Sequence, residues 1–463
     1  MKNNFLNIRI NTNSVTFISF LPIFLWFLIF SLSLINQPYV WDDLHFFRNY
    51  TNEELINVWS RNWDPDKVET PSYRPLAVWY YHLLHLIFQE NVFSFRLFVI
   101  FKSFLLLIII NNFLIGLNFK KKEVLIFSFL IVFSKIFATL ISWFTVSIFI
   151  LIYMFTFLSI IFFLKSLEDK SKSLYFVSLI FSFIAIFMRE ELYILPLMLF
   201  FIFFIKSKIN FKNIFKCFFY ISPFLFIVFL HLILRKIFVP EAAHFDLEGY
   251  ILKFGDNPLG LGGVIKVIKS SFLPMGYYSS KYSSLFQTFL SLSWVTLILT
   301  SFLILLKDLK GKLVEKKIYI FAILVLVCSI PHITIARSFG IFLPTVFALG
   351  LVSLLINSFL TKRDLYKIIS VSIISLGLIG GIYRSSGQIK SMNVFAKDIV
   401  YYDMMFIYGY PANGFKISIP KERFLNKKKH LERLNIFGFE PELKKIMLKS
   451  EKIISTKFDP LMF

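Results

Sequence analysis

The sequence predicts an all-α protein, a polytopic transmembrane helical bundle of about eleven spans, and three observations carry that prediction. Of its 463 residues 57% are hydrophobic and 19% aromatic, with 61 Phe among them, and only 17% are charged, an apolar content above that of soluble globular chains. The apolar residues fall in runs of roughly twenty, the length that crosses the ~30 Å hydrocarbon core of a bilayer. The Lys and Arg residues collect in short connectors between these runs and in the final segment. In a soluble chain a net charge of +22 would point to nucleic acid; placed between apolar runs it is a topology signal, and no nucleic-acid partner is expected. Cys217 and Cys328 both lie inside apolar segments, which argues against a disulfide framework or a thiolate metal cluster.

The first run, about Val15–Ile35, follows a weakly basic start with Lys2 and Arg9 and has no small-residue cleavage site, so it reads as a retained helix entering from the cytoplasm. Residues 37–75 then form the first external loop. PLAVWYYHLLHLIF, with Pro75 at its first helical position, has the Trp, Tyr and His content of a helix lying along the membrane interface. The second span is expected at Phe93–Leu117. Val124–Leu140 and Trp143–Leu164 follow, divided by a tight turn around Ser142, and then Leu174–Met188 and Leu192–Ile205, divided by Arg189, Glu190 and Glu191 with no loop. A span at Phe218–Phe238 leads into a second large external loop, 239–284. Leu285–Leu306, Ile318–Ile330, Ile341–Leu360 and Ile368–Tyr383 complete the count. Every basic connector falls on one side of the membrane in this arrangement, as the positive-inside rule requires. Residues 1–384 are thus expected to form the membrane domain and 385–463 an external tail or small domain.

This topology gathers the charged groups at bilayer boundaries on the external side: Asp42, Asp43, Arg74, the Arg189–Glu190–Glu191 cluster, His332 and Arg337. A charge at membrane depth costs several kcal/mol unless paired or hydrated, roughly 2.5–3.5 at a helix centre, so such groups pair or line a wet cavity. A carboxylate there can take a proton from an acceptor hydroxyl or hold a divalent metal, Mg or Mn. Arginine suits a phosphate leaving group, because its planar fork binds phosphate oxygens and stabilises charge that develops as a bond breaks. Asp42 and Asp43 are therefore the candidate catalytic or metal-binding residues, and Arg74 and Arg337 the candidate phosphate-binding residues. Tyr73, His82, Arg189, Glu190, Glu191 and His332 are candidate cavity-lining residues. Simpler readings stand beside these: a solvated acidic helix end, a snorkelling Arg74, an internal Arg189–Glu191 ion pair at a helix break, and interfacial aromatic roles for His82 and His85.

VWDDLHFF and SYRPLAVWYYHLLH, in this order and spacing, resemble the GT-C superfamily of integral membrane glycosyltransferases. The likeness is nearest to the protein O-mannosyltransferase branch and its relatives with tetratricopeptide repeats. REELYILP and IARSFGIFLPTVFALG look like later junctions of the same chains, although no repeat array follows the last span and Ala336 stands where relatives often have an acid before the arginine. The resemblance implies an inverting hexosyl or pentosyl transfer from a polyprenyl- or dolichyl-phosphate donor to a protein or glycan acceptor on the external face. It implies Asp42 or Asp43 as catalytic base or metal ligand, and Arg74 against the lipid phosphate. The expected setting is a multi-pass protein of a bacterial cytoplasmic membrane with its site facing outward. A lipid-linked oligosaccharide flippase, or a surface-polysaccharide polymerase or ligase, is the alternative.

Overall fold

The computed structural model describes residues 12–35, 46, 50–63, 72–89, 91–207, 209–240, 267–268, 270–273, 289–299, 312–332, 340–360 and 364–407, with the backbone alone for 12–14, 206, 312–315, 332 and 391–407. Every regular element among the described residues is helical. Six helices are long and apolar enough to cross a membrane, or seven if one bent pair counts as a single span, so the architecture is that of a helical multi-pass membrane protein. Other expected spans fall on shorter helices or partly outside the described residues.

Helix α1 (Thr12–Ile35) matches the first expected span. Helix α2 (Asn52–Asn57) starts at a capping box: the Thr51 hydroxyl accepts from the Glu54 N–H at 3.2 Å, and the Glu54 carboxylate accepts from the Thr51 N–H at 2.8 Å. Helix α3 (Pro75–Phe88) opens on Pro75, which lacks the N–H that a first turn leaves unpaired anyway. It buries Ala77, Val78, Tyr81 and Leu84 and exposes Leu83, Leu86 and Ile87. Asn91 caps α4 (Val92–Gly116) through its side chain.

The run expected as one span at Val124–Leu140 is instead two helices, α5 (Lys121–Val132) and α6 (Lys135–Ser142), bent by 58°. No Pro or Gly stands at the break. Ser134 makes it, donating to the Ile131 carbonyl at 2.6 Å and accepting from the Phe137 N–H at 3.3 Å, so one hydroxyl caps both helices. The carbonyls freed nearby find partners on other elements. Ser385 donates to Phe133 O, and Arg96 reaches Ile141 O at 3.3 Å and Ser142 O at 3.2 Å. On the 3₁₀ turn that follows (Thr145–Ser147), Lys102 donates to Ser147 O and Tyr81 to Thr145 O. An unpaired carbonyl costs several kcal/mol in an apolar setting, which is why two buried cations, Arg96 and Lys102, serve the end of α6 and the turn after it.

The turn predicted around Ser142 is present, and α7 (Ile148–Asp169) and α8 (Lys172–Met188) follow. They are joined by reciprocal hydrogen bonds between Ser159 and Ser178, each hydroxyl donating to the other's carbonyl at 3.0 and 2.7 Å. A second 3₁₀ turn (Glu190–Ile194) leads into α9 (Leu195–Lys206), then α10 (Phe211–Phe238), α11 (Phe289–Leu299), α12 (Lys312–Ser329), α13 (Phe342–Leu360) and α14 (Asp364–Ile407). Helix α14 runs unbroken through residue 384, where the sequence suggested the end of the membrane domain.

Helix α13 is the centre of the bundle. It is apolar and buried on all sides, packed by α5, α12 and α14. Phe347 meets the rings of Phe113, Phe157 and Phe321, and Gly350 is required beneath Phe321, since a Cβ there would lie 2.7 Å from its ring. At one end of the bundle Lys317 donates to Asn118 O at 2.8 Å, Lys316 to Ser207 O, and Asn357 to the Glu123 carboxylate at 2.8 Å. Basic connectors that the sequence assigned to one side thus meet at one end. The charged cluster described next lies at the other, separated by roughly 30 Å along α10 from Phe211 to His231 at 1.5 Å per residue.

Candidate functional site

The site is built on the junction between α8 and α9. Helix α8 stops because Arg189 takes an extended conformation, with φ −160° and ψ 125°. The chain then makes the 3₁₀ turn Glu190–Ile194, and Pro196 near the start of α9 restarts the helix. With three residues per turn, neighbouring side chains in that turn diverge by about 120°. Glu190 and Glu191 consequently reach different partners.

Glu190 holds the segment that precedes α3. Its Oε2 accepts from Arg74 Nε at 2.6 Å, and its Oε1 accepts from the Tyr73 main-chain N–H at 3.2 Å. The Arg74 guanidinium lies over the Trp63 ring, 4.8 Å from its centroid. Trp63 is placed by its own N–H, which donates to Ser72 O at 3.0 Å, and Tyr73 closes the loop by donating its hydroxyl to Trp59 O at 2.9 Å. Among the described residues, Nε is the only hydrogen-bonded nitrogen of the Arg74 guanidinium. Its two terminal nitrogens are left for another acceptor.

From the far side His231 of α10 secures the same segment. Its Nε2 is 3.0 Å from Tyr73 O and its Nδ1 is 2.6 Å from the Tyr193 hydroxyl. A carbonyl only accepts, so Nε2 carries the proton; Nδ1 of the neutral ring accepts from Tyr193. Arg235 is buried one turn further along α10. The other carboxylate, Glu191, pairs with Arg189 Nη2 at 2.9 Å, and the Arg189 guanidinium covers Phe149 at 4.7 Å.

Electrostatics hold Glu190 and Arg189 in their charged forms. Burial alone would raise the Glu190 carboxyl, but Arg74 and Arg189 outweigh that and hold it down to about 2. Burial also works against the Arg189 charge, yet Glu191 and Glu190 prevail and it binds its proton more firmly than usual. Burial first, then Glu190, pushes the Tyr193 hydroxyl up, which keeps it a donor. Arg74 and Arg189 pair with Glu190 and Glu191, and Arg235 lies buried nearby on α10.

Beside the cluster is a small pocket lined by Arg189, Glu191, Tyr153, Phe149, Cys328 and Pro331 among others, with room for about one water molecule. Of the sequence-predicted residues, the structure brings together Tyr73, Arg74, Arg189, Glu190 and Glu191. Tyr73 is fully buried, and Glu190 bonds to Arg74 across the bundle and not to its neighbour. His82 lies on α3, where its Nδ1 accepts from the Tyr50 N–H at 3.3 Å. Asp42, Asp43 and Arg337 lie outside the described residues, and His332 contributes only its backbone position in the 3₁₀ turn Ile330–His332. Among the described residues no three His, Cys, Asp or Glu side chains are placed to hold a metal ion; the carboxylates assigned to one are Asp42 and Asp43.

Sequence reading did not single out Trp63, Tyr193, His231 or Arg235. His231 and Arg235 continue the buried stripe of α10 (Cys217, Ile221, Phe224, Ile227) at steps of three or four residues, the one signal that marks them as inward-facing. Comparison with protein-family models, with curated proteins and with solved structures returns no match to this chain.

Proposed function

We propose that the chain is a membrane glycosyltransferase that moves a sugar from a polyprenyl-phosphate donor to an acceptor hydroxyl on the external face, with inversion. The observation that carries this reading is Arg74: stacked on Trp63, fixed through Nε by Glu190, and presenting two terminal nitrogens that no described residue takes up. In the proposed reaction an aspartate of the Asp42–Asp43 pair takes the proton of the acceptor hydroxyl as that oxygen attacks the anomeric carbon. The bond from that carbon to the phosphate oxygen breaks on the opposite face. Both bonding electrons leave with the lipid phosphate, and Arg74 stabilises the charge that develops there. The acid pair has a second way to act, as ligands of Mg or Mn.

The test is sugar transfer by purified protein in lipid from a panel of radiolabelled polyprenyl-phosphate sugars, with the doubly substituted Asp42→Asn, Asp43→Asn protein beside the wild type. Transfer is expected from the wild type and lost in the variant, and chelator sensitivity separates the metal role from the base role. Undiminished transfer in the double variant would sink the proposal. A transport reading draws on Arg96 and Lys102, which are buried inside α4. Both are bound to carbonyls around the α6 terminus and the turn after it, a structural use that leaves transport the weaker reading.

A further inference from the structure

We propose that His231 is a positioning residue for Arg74, acting through the carbonyl of Tyr73, and that Tyr193 fixes the ring orientation this requires. The inference rests on the reading of Arg74 as a phosphate-binding residue. Tyr73 and Arg74 are consecutive, and the intervening peptide group is held between a donor, His231, and an acceptor, Glu190. Its carbonyl receives His231 Nε2–H at 3.0 Å, and the guanidinium beyond it is held by Glu190 at 2.6 Å. The Tyr73 N–H also reaches Glu190, at 3.2 Å. With the N–H, the carbonyl and Nε all tied, the direction of the two terminal nitrogens is set before any ligand arrives.

His231 is fully buried, and its surroundings fix the ring as well as accommodate it. The Phe187 ring meets it edge-on at 4.8 Å and 90°, and the Tyr73 ring lies 5.2 Å away. A flipped imidazole would offer carbon atoms where Nε2–H and Nδ1 now serve Tyr73 and Tyr193, stranding a buried carbonyl and withdrawing an acceptor from the Tyr193 hydroxyl. His231 is separated from Tyr73 by 158 positions, so this is a tertiary device linking α10 to the segment ahead of α3.

The experiment compares His231→Gln with His231→Asn. The Gln amide nitrogen reaches the position of Nε2 and keeps the donor to Tyr73, whereas Asn reaches only the position of Nδ1 and keeps Tyr193. The readout is the dissociation constant of purified protein for sugar-free polyprenyl phosphate in lipid nanodiscs, with Arg74→Ala as reference and the thermal midpoint of each variant as a folding control. Positioning predicts His231→Gln within about threefold of wild type and His231→Asn weaker by about tenfold, the worth of one hydrogen bond. Equal affinity of the two variants, at comparable thermal midpoints, overturns the inference and leaves Arg74 in its role. Wild-type affinity in Arg74→Ala overturns the reading beneath it as well.

Discussion

Glu190 shows how one side chain can shape a site it does not chemically serve. Its carboxylate binds a guanidinium and the amide one residue before it, so it aligns backbone and side chain of the same short segment. Removing one partner of a buried ion pair strands the other, at a cost of about 3–5 kcal/mol. The pH dependence has a definite sign. The Glu190 carboxyl is held at about 2 against an ordinary 4.5, so its stabilisation is complete above about pH 4.5 and drains away as the pH falls toward 2. By pH 3 the loss from this group is about 2 kcal/mol. The thermal midpoint of the wild type is expected to fall between pH 5 and pH 3, while Glu190→Gln starts lower at pH 7 and changes less over that interval. A parallel decline in both proteins would remove Glu190 as the cause. At this scale the sequence was only partly legible. SYRPL and REELYILP marked Arg74 and Glu190, because acids and arginines set directly between apolar runs are rare. Their pairing across 116 positions left no local trace, and His231 is the one polar residue within the apolar stretch 223–234.

Helix existence was written plainly in the apolar runs, and α1, α4, α10 and α13 lie close to where those runs place them. The break between α5 and α6 was not, because its cause is a serine, and serine inside an apolar run usually folds its hydroxyl back onto the preceding turn. Ser128 does just that, donating to Val124 O at 2.7 Å, whereas Ser134 caps two helices. Whether a serine ends a helix was decided by the neighbour that takes the freed carbonyl. Here that neighbour is α14. Gly381 lets it approach so closely that a Cβ would sit 2.4 Å from Phe133 O, and Ser385, one turn on, donates to that oxygen at 3.1 Å. Gly381→Val is therefore expected to push α14 off the break and lower the thermal midpoint by more than Ser385→Ala, which loses hydrogen bonds alone, about 1 kcal/mol. A Gly381→Val protein as stable as wild type would contradict this packing. A polar chain of Ser19, Asn111 and Ser128 ties α1, α4 and α5 in the same manner, with Asn111 donating to Ser19 at 2.8 Å and its Oδ1 3.1 Å from the Ser128 hydroxyl, which it shares with Val124 O. Between helices in lipid there is little hydrophobic drive, so such contacts and close packing specify which helices are neighbours.

For the whole molecule, composition alone announced a helical membrane protein, and the structure has that architecture. Its polarity is equally clear. Lysine-rich connectors meet at one end, bound to main-chain carbonyls, while the guanidinium–carboxylate cluster lies at the other, pinned by residues from the turn after α8, from α10 and from the segment before α3. The lysine connectors were legible because charge distribution along the chain reports topology directly. The other end was legible in residue type, not in wiring, because its contacts join segments far apart in the chain.

The central claim is that Arg74 is held ready for a lipid phosphate whose sugar is transferred. The most direct measurement is the rate of sugar transfer from a polyprenyl-phosphate sugar by wild type, Arg74→Lys and Arg74→Gln in lipid nanodiscs. Lysine keeps a charge but loses the planar fork, and glutamine loses the charge. The account predicts transfer by the wild type, a partial loss with Arg74→Lys, and a loss on the order of 100-fold or more with Arg74→Gln. Wild-type rates in Arg74→Gln, in protein with an unchanged thermal midpoint, would contradict it.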